Sequence, residues 1–459
     1  MKTNQPIDLG PANRMLRFRF LILVAAAWHA AVTTSVFLVG RFGLVPGQFD
    51  QRGLGTFASD GFMYQNEIVE LCGVLRNQGV TAWAIWPTQL HVRLYSLPVF
   101  LLNGGAQLNI LTIEPLNLIY YLAILVLIYK LGEIVFNYRT GIIAAVMVGI
   151  WPSFLLHTTQ LLRDPLLVTA VLLLVLTLVL CLKRDYDWHL GILIGIAGTA
   201  AIVLIRIVRL PMWAVLVAIV VLAVILFVSR VVHRRRFPPG NIAFALIMIV
   251  AVVIMPRFQS TFHNQQVVNR PRVIVPEKVQ ELSLTEQIAT RRHGFELQWD
   301  TDGEASPSQA GSDLDPGVSL RRPVDILRQV PRAVVVGFFA PFPNMWFSPG
   351  RQVGGGGRAI SGFETLLTYG IEGLALVGLW NRRKHLSVWL LFLVVTLGAV
   401  AVGLVVLNIG ALYRVRYPFW AILIVLGAGG ADHLLRRRSL ARSAQNNLVA
   451  AQPVGTFHI

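Results

Sequence analysis

The chain has 459 residues, of which 55% are hydrophobic and 14% charged, with a mean hydropathy of +0.63. Soluble proteins carry roughly 25% charged residues, so an ordinary soluble globular domain is excluded. The net charge of +17, from 40 Lys and Arg against 23 Asp and Glu, would suggest nucleic acid in a soluble chain. Here Lys- and Arg-anchored cytoplasmic loops account for it, and no nucleic-acid partner is expected.

Apolar runs long enough to cross a bilayer recur from end to end, which predicts an all-α polytopic membrane protein with about ten spanning helices. Residues 1–16 read as a polar cytoplasmic arm, and Arg14, Arg17 and Arg19 place the N-terminus inside. The first run, 17–41, is too long for a signal peptide and reads as a retained anchor. It opens an N-terminal transmembrane module, 17–255, that includes an outer loop, 42–114. Further spans are expected near 115–136, 140–157, 165–182, 188–206, 211–229 and 240–255. The basic groups Lys183-Arg184 and Arg230 to Arg236 mark the cytoplasmic ends.

Residues 256–360 read as an extracytoplasmic loop with an interfacial segment. Within it, Ser283-Leu284-Thr285-Glu286 is a capping box that opens a short helix. Asp300–Gly317 reads as an acidic, low-complexity loop whose charges lack calcium-loop spacing. Pro323–Arg332 is amphipathic and leads into an aromatic, proline-broken run, 337–347, and Gly354–Gly357 reads as a hinge. C-terminal transmembrane helices at 361–380, 386–407 and 411–430 fill 361–430, and 431–459 forms a second cytoplasmic tail. Cys72 and Cys181 fall on opposite sides of the membrane, so no disulfide is expected.

The first outer loop holds the most unusual stretch, Gly55 to Glu67. On a helix starting near Ser59, Asp60, Tyr64 and Glu67 share one face at i, i+4 and i+7. A surface or re-entrant helix follows near His91–Phe100, too short to span. Several arginines break the positive-inside pattern: Arg163 beside Asp164 at an outer turn, Arg206 and Arg209 at one outer helix end, Arg414 and Arg416 at another. Ionisable groups near hydrocarbon are costly and mark function. Arginine's planar fork suits phosphate, so arginines ringing carboxylates make an anion site beside a base.

In layout the chain resembles the GT-C membrane glycosyltransferases. In particular it resembles bacterial relatives of protein mannosyltransferases and of lipid A aminoarabinose transferase, a glycosyltransferase family 39-like group. The matching pieces are Asp60-Gly61-Phe62-Met63-Tyr64, the proline-bearing helix Leu90–Leu101 and the outer turn Leu161-Leu162-Arg163-Asp164-Pro165-Leu166-Leu167. The basic helix end Arg206 to Arg209 and the large loop near the C-terminal third match as well. The resemblance implies a sugar donor carried on a polyprenyl phosphate and transfer on the outer face of a bacterial inner membrane, to a glycan, lipid or protein acceptor.

Carried over, Asp60 is the catalytic carboxylate, Asp164 the second-turn acid, and Glu67 a further acid. Arg163, Arg206, Arg209, Arg414 and Arg416 are donor-phosphate ligands, and Tyr64, His91, Arg93, Gln160 and Tyr413 line the substrate. Trp83, Trp86, Phe339, Phe342 and Trp346 are candidates for an apolar entrance. The pattern departs from the family where a second acid often follows the first: here it is Asp60-Gly61. That leaves a divalent cation, magnesium or manganese, open. Two alternatives are an O-antigen or capsule polymerase or ligase, and a transporter or flippase of lipid-linked glycans. The nearly charge-free centres of 115–136, 211–229 and 386–407 count against transport.

Overall fold

In a computed structural model of the chain, the residues described are 11–257, 283–299, 305–307, 314–315, 317–318, 320, 322–347 and 354–450. The acidic stretch around Asp300–Gly317 falls largely outside them. The described chain is overwhelmingly helical. Seven helices are long and apolar enough to cross a membrane, or eight if one bent pair is a single span.

The first is α1 (Pro11–Arg41). A looped segment then leads to three shorter helices, α2 (Asp60–Asn77), α3 (Gly79–Ile85) and α4 (Leu90–Asn103). Next come α5 (Ile110–Val135), α6 (Tyr138–Gly149), α7 (Pro152–Thr158) and α8 (Asp164–Lys183). Helices α6 and α7 are the bent pair, at 69°. The chain continues through α9 (Trp188–Val208), α10 (Trp213–Arg234) and α11 (Pro239–Ile254). The remaining helices are α12 (Leu284–Glu296), α13 (Pro323–Phe339), α14 (Gly354–Asn381), α15 (Leu386–Val405) and α16 (Ile409–Ala450). A small antiparallel pair, 297–299 with 305–307, follows α12.

Side-chain caps set several starts. Asn109 accepts from the Leu111 and Thr112 backbone amides at the start of α5. Asn137 caps α6 in the same way. The Ser283–Glu286 capping box forms as the sequence predicts. Two expected spans differ. Helix α11 has 16 residues, so it is only about 24 Å long against a hydrocarbon core of about 30 Å. Helix α14 carries Arg358, Glu364 and Glu372 and is not uniformly apolar. Its first turn contains Gly354–Gly357, which is therefore helix and not a hinge.

The centre of the bundle is α8 and the first half of α16, whose apolar residues are buried on nearly all sides. Helix α13 packs antiparallel to α15, and a side chain at Gly337 would collide with the Ala399 carbonyl. It therefore enters the bundle from one end, and the chain turns back through 340–347. Arg416 holds that turn by donating to the Ala340 carbonyl (2.9 Å). Near the same end, Arg292 donates to the carbonyls of Leu404 and Asp315, and Arg332 grips the Asp315 carboxylate with two bonds. The segment around α12 thus caps the end of α15. The opposite end is marked by Asn137 donating to Asp432 (2.8 Å). Both cysteines are buried and unpaired.

Candidate functional site

Helix α2 brings Asp60 to the start of the bundle, and α8 begins with Asp164 in its first turn. Between the two carboxylates lies Arg414, one turn into α16. Its guanidinium is 3.0 Å from Asp60 Oδ2 and 3.8 Å from Asp164 Oδ2. Arg209, where α9 ends, donates to Asp164 Oδ1 at 3.1 Å. Four charges from four separate regions of the sequence therefore share one end of the bundle. Asp164 is 5% exposed and has both oxygens engaged, while Asp60 is 29% exposed. Asp60 Oδ1 has no hydrogen bond among the described residues. The two acids differ in kind: Asp164 is locked, and Asp60 keeps one reachable oxygen.

The turn before Asp164 is pinned from three sides. Gln160 accepts from the Gly55 amide (2.8 Å) and donates to the Gly53 carbonyl (3.3 Å), tying the first loop to this turn. The Tyr95 hydroxyl donates to Asn117 (2.6 Å) and lies 3.1 Å from the Leu162 carbonyl. Asn117 in turn donates to the Gln160 carbonyl (3.3 Å). A Cβ at Gly61 would lie 3.3 Å from the Leu161 carbonyl, so residue 61 is small because the turn passes directly beside it.

Tyr64 and His91 stand next to this cluster, edge to face with ring centroids 4.6 Å apart. Burial pushes the Tyr64 hydroxyl up to about 12, against the opposing pull of Arg163. Burial, reinforced by Arg163, drives His91 down to about 3, so its ring is neutral at any physiological pH. Neither His91 Nε2 nor Arg163 Nε has a hydrogen-bond partner among the described residues. Three guanidiniums (Arg163, Arg209, Arg414) face two carboxylates, so the cluster carries one surplus positive charge, and Arg163 has no ion-pair partner among the described residues.

The other expected residues lie elsewhere. Glu67 accepts from the Thr88 hydroxyl (2.9 Å), two helical turns from Asp60, and secures the connection between α3 and α4. Arg93 donates to the Trp86 carbonyl (2.6 Å). Arg206 stacks on the Trp213 ring, 4.9 Å from its centroid. Arg416 serves the turn after α13, and Tyr413 bonds Thr365 (3.0 Å) and the Ser361 carbonyl (2.9 Å). The expected entrance aromatics separate as well. Trp83 donates to Ser96, whereas Phe339 packs on Tyr369 and Phe342 beneath Arg332. Accordingly, Glu67→Gln and Arg206→Ala are each expected to change anionic-ligand affinity less than twofold, measured by binding to the purified protein.

Sequence reading missed His157 and the His29–Glu114 pair. His157 Nδ1 donates to the Ser153 carbonyl (2.6 Å) and lies 2.9 Å from the Tyr417 hydroxyl, with Phe57 against its ring. Because a carbonyl can only accept, Nε2 is the unprotonated nitrogen. Deeper in the bundle, His29 bridges Glu114 (2.7 Å) and the Thr158 hydroxyl (3.1 Å), and Thr33 donates to the same Glu114 (2.8 Å). The only sequence signal for these was a polar residue inside an apolar run.

The donor set does not suit a divalent cation. Asp60 and Asp164 share Arg414, and no group of three or more His, Cys, Asp or Glu residues could hold a metal among the described residues. A cation between the carboxylates would have to displace the guanidinium. No protein-family model matches the chain, and no curated protein is significantly similar to it.

Proposed function

We propose that the chain is a membrane glycosyltransferase that moves a sugar from a polyprenyl-phosphate donor to an acceptor at the outer face of a bacterial inner membrane. The reading rests on one observation: the first-loop acid, Asp60, meets the acid and arginines of the later turns around a single guanidinium, Arg414. Transfer needs a carboxylate to take the acceptor's proton and cations to hold the leaving phosphate. Asp60 Oδ1 takes the proton as the acceptor oxygen bonds to the sugar's anomeric carbon. The anomeric carbon–oxygen bond breaks, and its electrons leave on the phosphate. Arg163, with no carboxylate of its own, meets that phosphate first, and Arg414 and Arg209 add charge behind it. Asp164 keeps the two arginines in place.

The same reading has both termini in the cytoplasm and ten crossings. Support comes from the alternation of helix ends: α11 and α14 each link opposite ends of the bundle although they are short or polar. A transporter of lipid-linked glycans is the second reading. It draws on ionisable groups at depth: the His29–Glu114 pair, and Glu372, which faces Arg416 in a small cavity with Phe338, Thr368, Phe419 and Trp420.

The test uses the full chain in nanodiscs with polyprenyl-phosphate-linked sugar and extracted envelope acceptors. Release of free polyprenyl phosphate, dependent on the acceptor, is the expected result. Movement of intact donor across a sealed vesicle without bond cleavage would replace the enzyme with the transporter. Turnover is expected to stay within twofold in excess EDTA, since no step passes through a metal.

A further inference from the structure

Helix α14 begins with four glycines, Gly354 to Gly357, followed by Arg358. Glycine is among the poorest helix formers, so such a run calls for a reason. Gly354 has one, a φ of +60°. Packing supplies none at Gly355 and Gly356, where a Cβ would meet nothing within 4 Å. What bare glycines leave open is the backbone. The first four amides of a helix have no partner inside it, and those of Gly354 to Gly357 have no acceptor outside it among the described residues. No acidic side chain lies in this turn. A 28-residue helix thus presents unpaired N–H groups at the positive end of its dipole.

Arg358 adds a charge to this end. It is 7% exposed, yet it has no hydrogen bond or ion pair among the described residues, and its Nε is buried. A buried charge is costly unless a counter-charge meets it. Side chains on a helix lean toward its N-terminus, so Arg358 lies back over the glycine turn. Gln48 of the first loop is close by. Its Nε2 lies 3.6 Å from where a Cβ on Gly354 would stand, and its side chain has no hydrogen bond among the described residues. Backbone amides, a guanidinium and a carboxamide therefore gather as donors without acceptors. Such a set takes an anion with several oxygens, as a phosphate has.

The place is at Asp60's end of the bundle. The Gln48 carbonyl accepts from the Thr56 amide (2.9 Å), four residues before Asp60. Tyr413, the neighbour of Arg414, bonds the Ser361 carbonyl one turn beyond Arg358. Arg414 itself is held by Asp60 and Asp164, so the two groups of donors are distinct. Ile360 and Phe363, 44% and 60% exposed, put an apolar surface suited to lipid within two turns of the glycines.

We propose that Gly354 to Gly357, Arg358 and Gln48 form a binding site for a phosphate group, carried by a lipid headgroup or by a soluble ester. The inference does not depend on the proposed transferase activity.

The test is amide hydrogen exchange at Gly354–Gly357 in the purified full chain, held in phosphatidylcholine nanodiscs. One arm adds phosphatidic acid to the bilayer, and the other adds inorganic phosphate to the water. Exchange should slow in at least one arm. Slowing with phosphatidic acid alone assigns a lipid headgroup, and slowing with inorganic phosphate assigns a soluble source. Phosphate bound at Arg414 leaves these amides free, so the readout belongs to this site. Arg358→Gln should need about tenfold more ligand for the same slowing, the lower range for a lost bond to a charged group. Gly355→Ala/Gly356→Ala is the sharper variant. Alanine favours the helix, so thermal stability should hold or rise, while two methyl groups crowd the amides and weaken binding. No slowing with either ligand overturns the site. So does undiminished binding in the double alanine variant, since the glycines then serve only the start of the helix.

Discussion

Asp60→Asn is expected to reduce sugar transfer by roughly 10²- to 10⁴-fold, the range for loss of a general base, while the protein inserts and folds normally. The amide keeps the shape of the carboxylate and can still accept from Arg414 through its carbonyl oxygen. Binding of polyprenyl phosphate should therefore change little or tighten, because one negative charge has left a cluster that binds an anion. The combination matters: turnover falls while affinity holds. Asp164→Asn should behave differently, since both Asp164 oxygens are held by arginines and its loss frees Arg209 and Arg414. Full turnover in Asp60→Asn would remove Asp60 as the base. Another proton acceptor near this end is His157, whose Nδ1 donates to the Ser153 carbonyl and leaves Nε2 unprotonated.

Much of this arrangement could be read before any coordinates. Composition alone established a helical membrane protein, because no soluble core could absorb so many apolar residues. Asp60, Asp164, Arg209 and Arg414 stood out because charges at helix ends near hydrocarbon are costly unless they meet one another, and they do meet. The errors have local causes. Arg414 and Arg416 are two residues apart on one helix, so their side chains leave it in nearly opposite directions and cannot both face Asp60. Helical periodicity placed Glu67 on the face of Asp60 but ignored its distance along the axis, which lets Thr88 claim it. Arg206 and Arg209 look like a pair, yet Arg209 has already left helical geometry and turns back to Asp164, while Arg206 finds Trp213. The packing of α13 against α15 was hidden because a helix inserted into a bundle and a surface helix share the same amphipathic pattern. The Gly337 contact with Ala399 exists only in three dimensions.

Arg414→Ala is expected to be the most damaging single change at the site. Removing one partner of a buried ion pair costs about 3–5 kcal/mol, and this side chain is 15% exposed, so a value near the lower end, about 3 kcal/mol, is expected. The cost is high because Asp164, 5% exposed, would keep only Arg209, and Asp60 would face it without a cation between them. Arg414→Lys should recover part of the stability, since a charge returns, but its shorter reach and more strongly hydrated ammonium would hold less well the two carboxylates that Arg414 meets through Nη1. The decisive comparison is the double variant Asp164→Asn/Arg414→Gln. With Asp164 and Arg414 both neutralised, no half-paired carboxylate is left at the start of α8, although Arg209 loses its charged partner, and thermal unfolding should recover part of the loss seen in Arg414→Ala. Affinity for polyprenyl phosphate should not recover, because one of the cations behind the phosphate is still missing. If affinity returns together with stability, Arg414 is a brace between two acids and takes no part in binding the anion. If stability returns and affinity stays at least tenfold down, the same guanidinium both holds the cluster together and binds the anion.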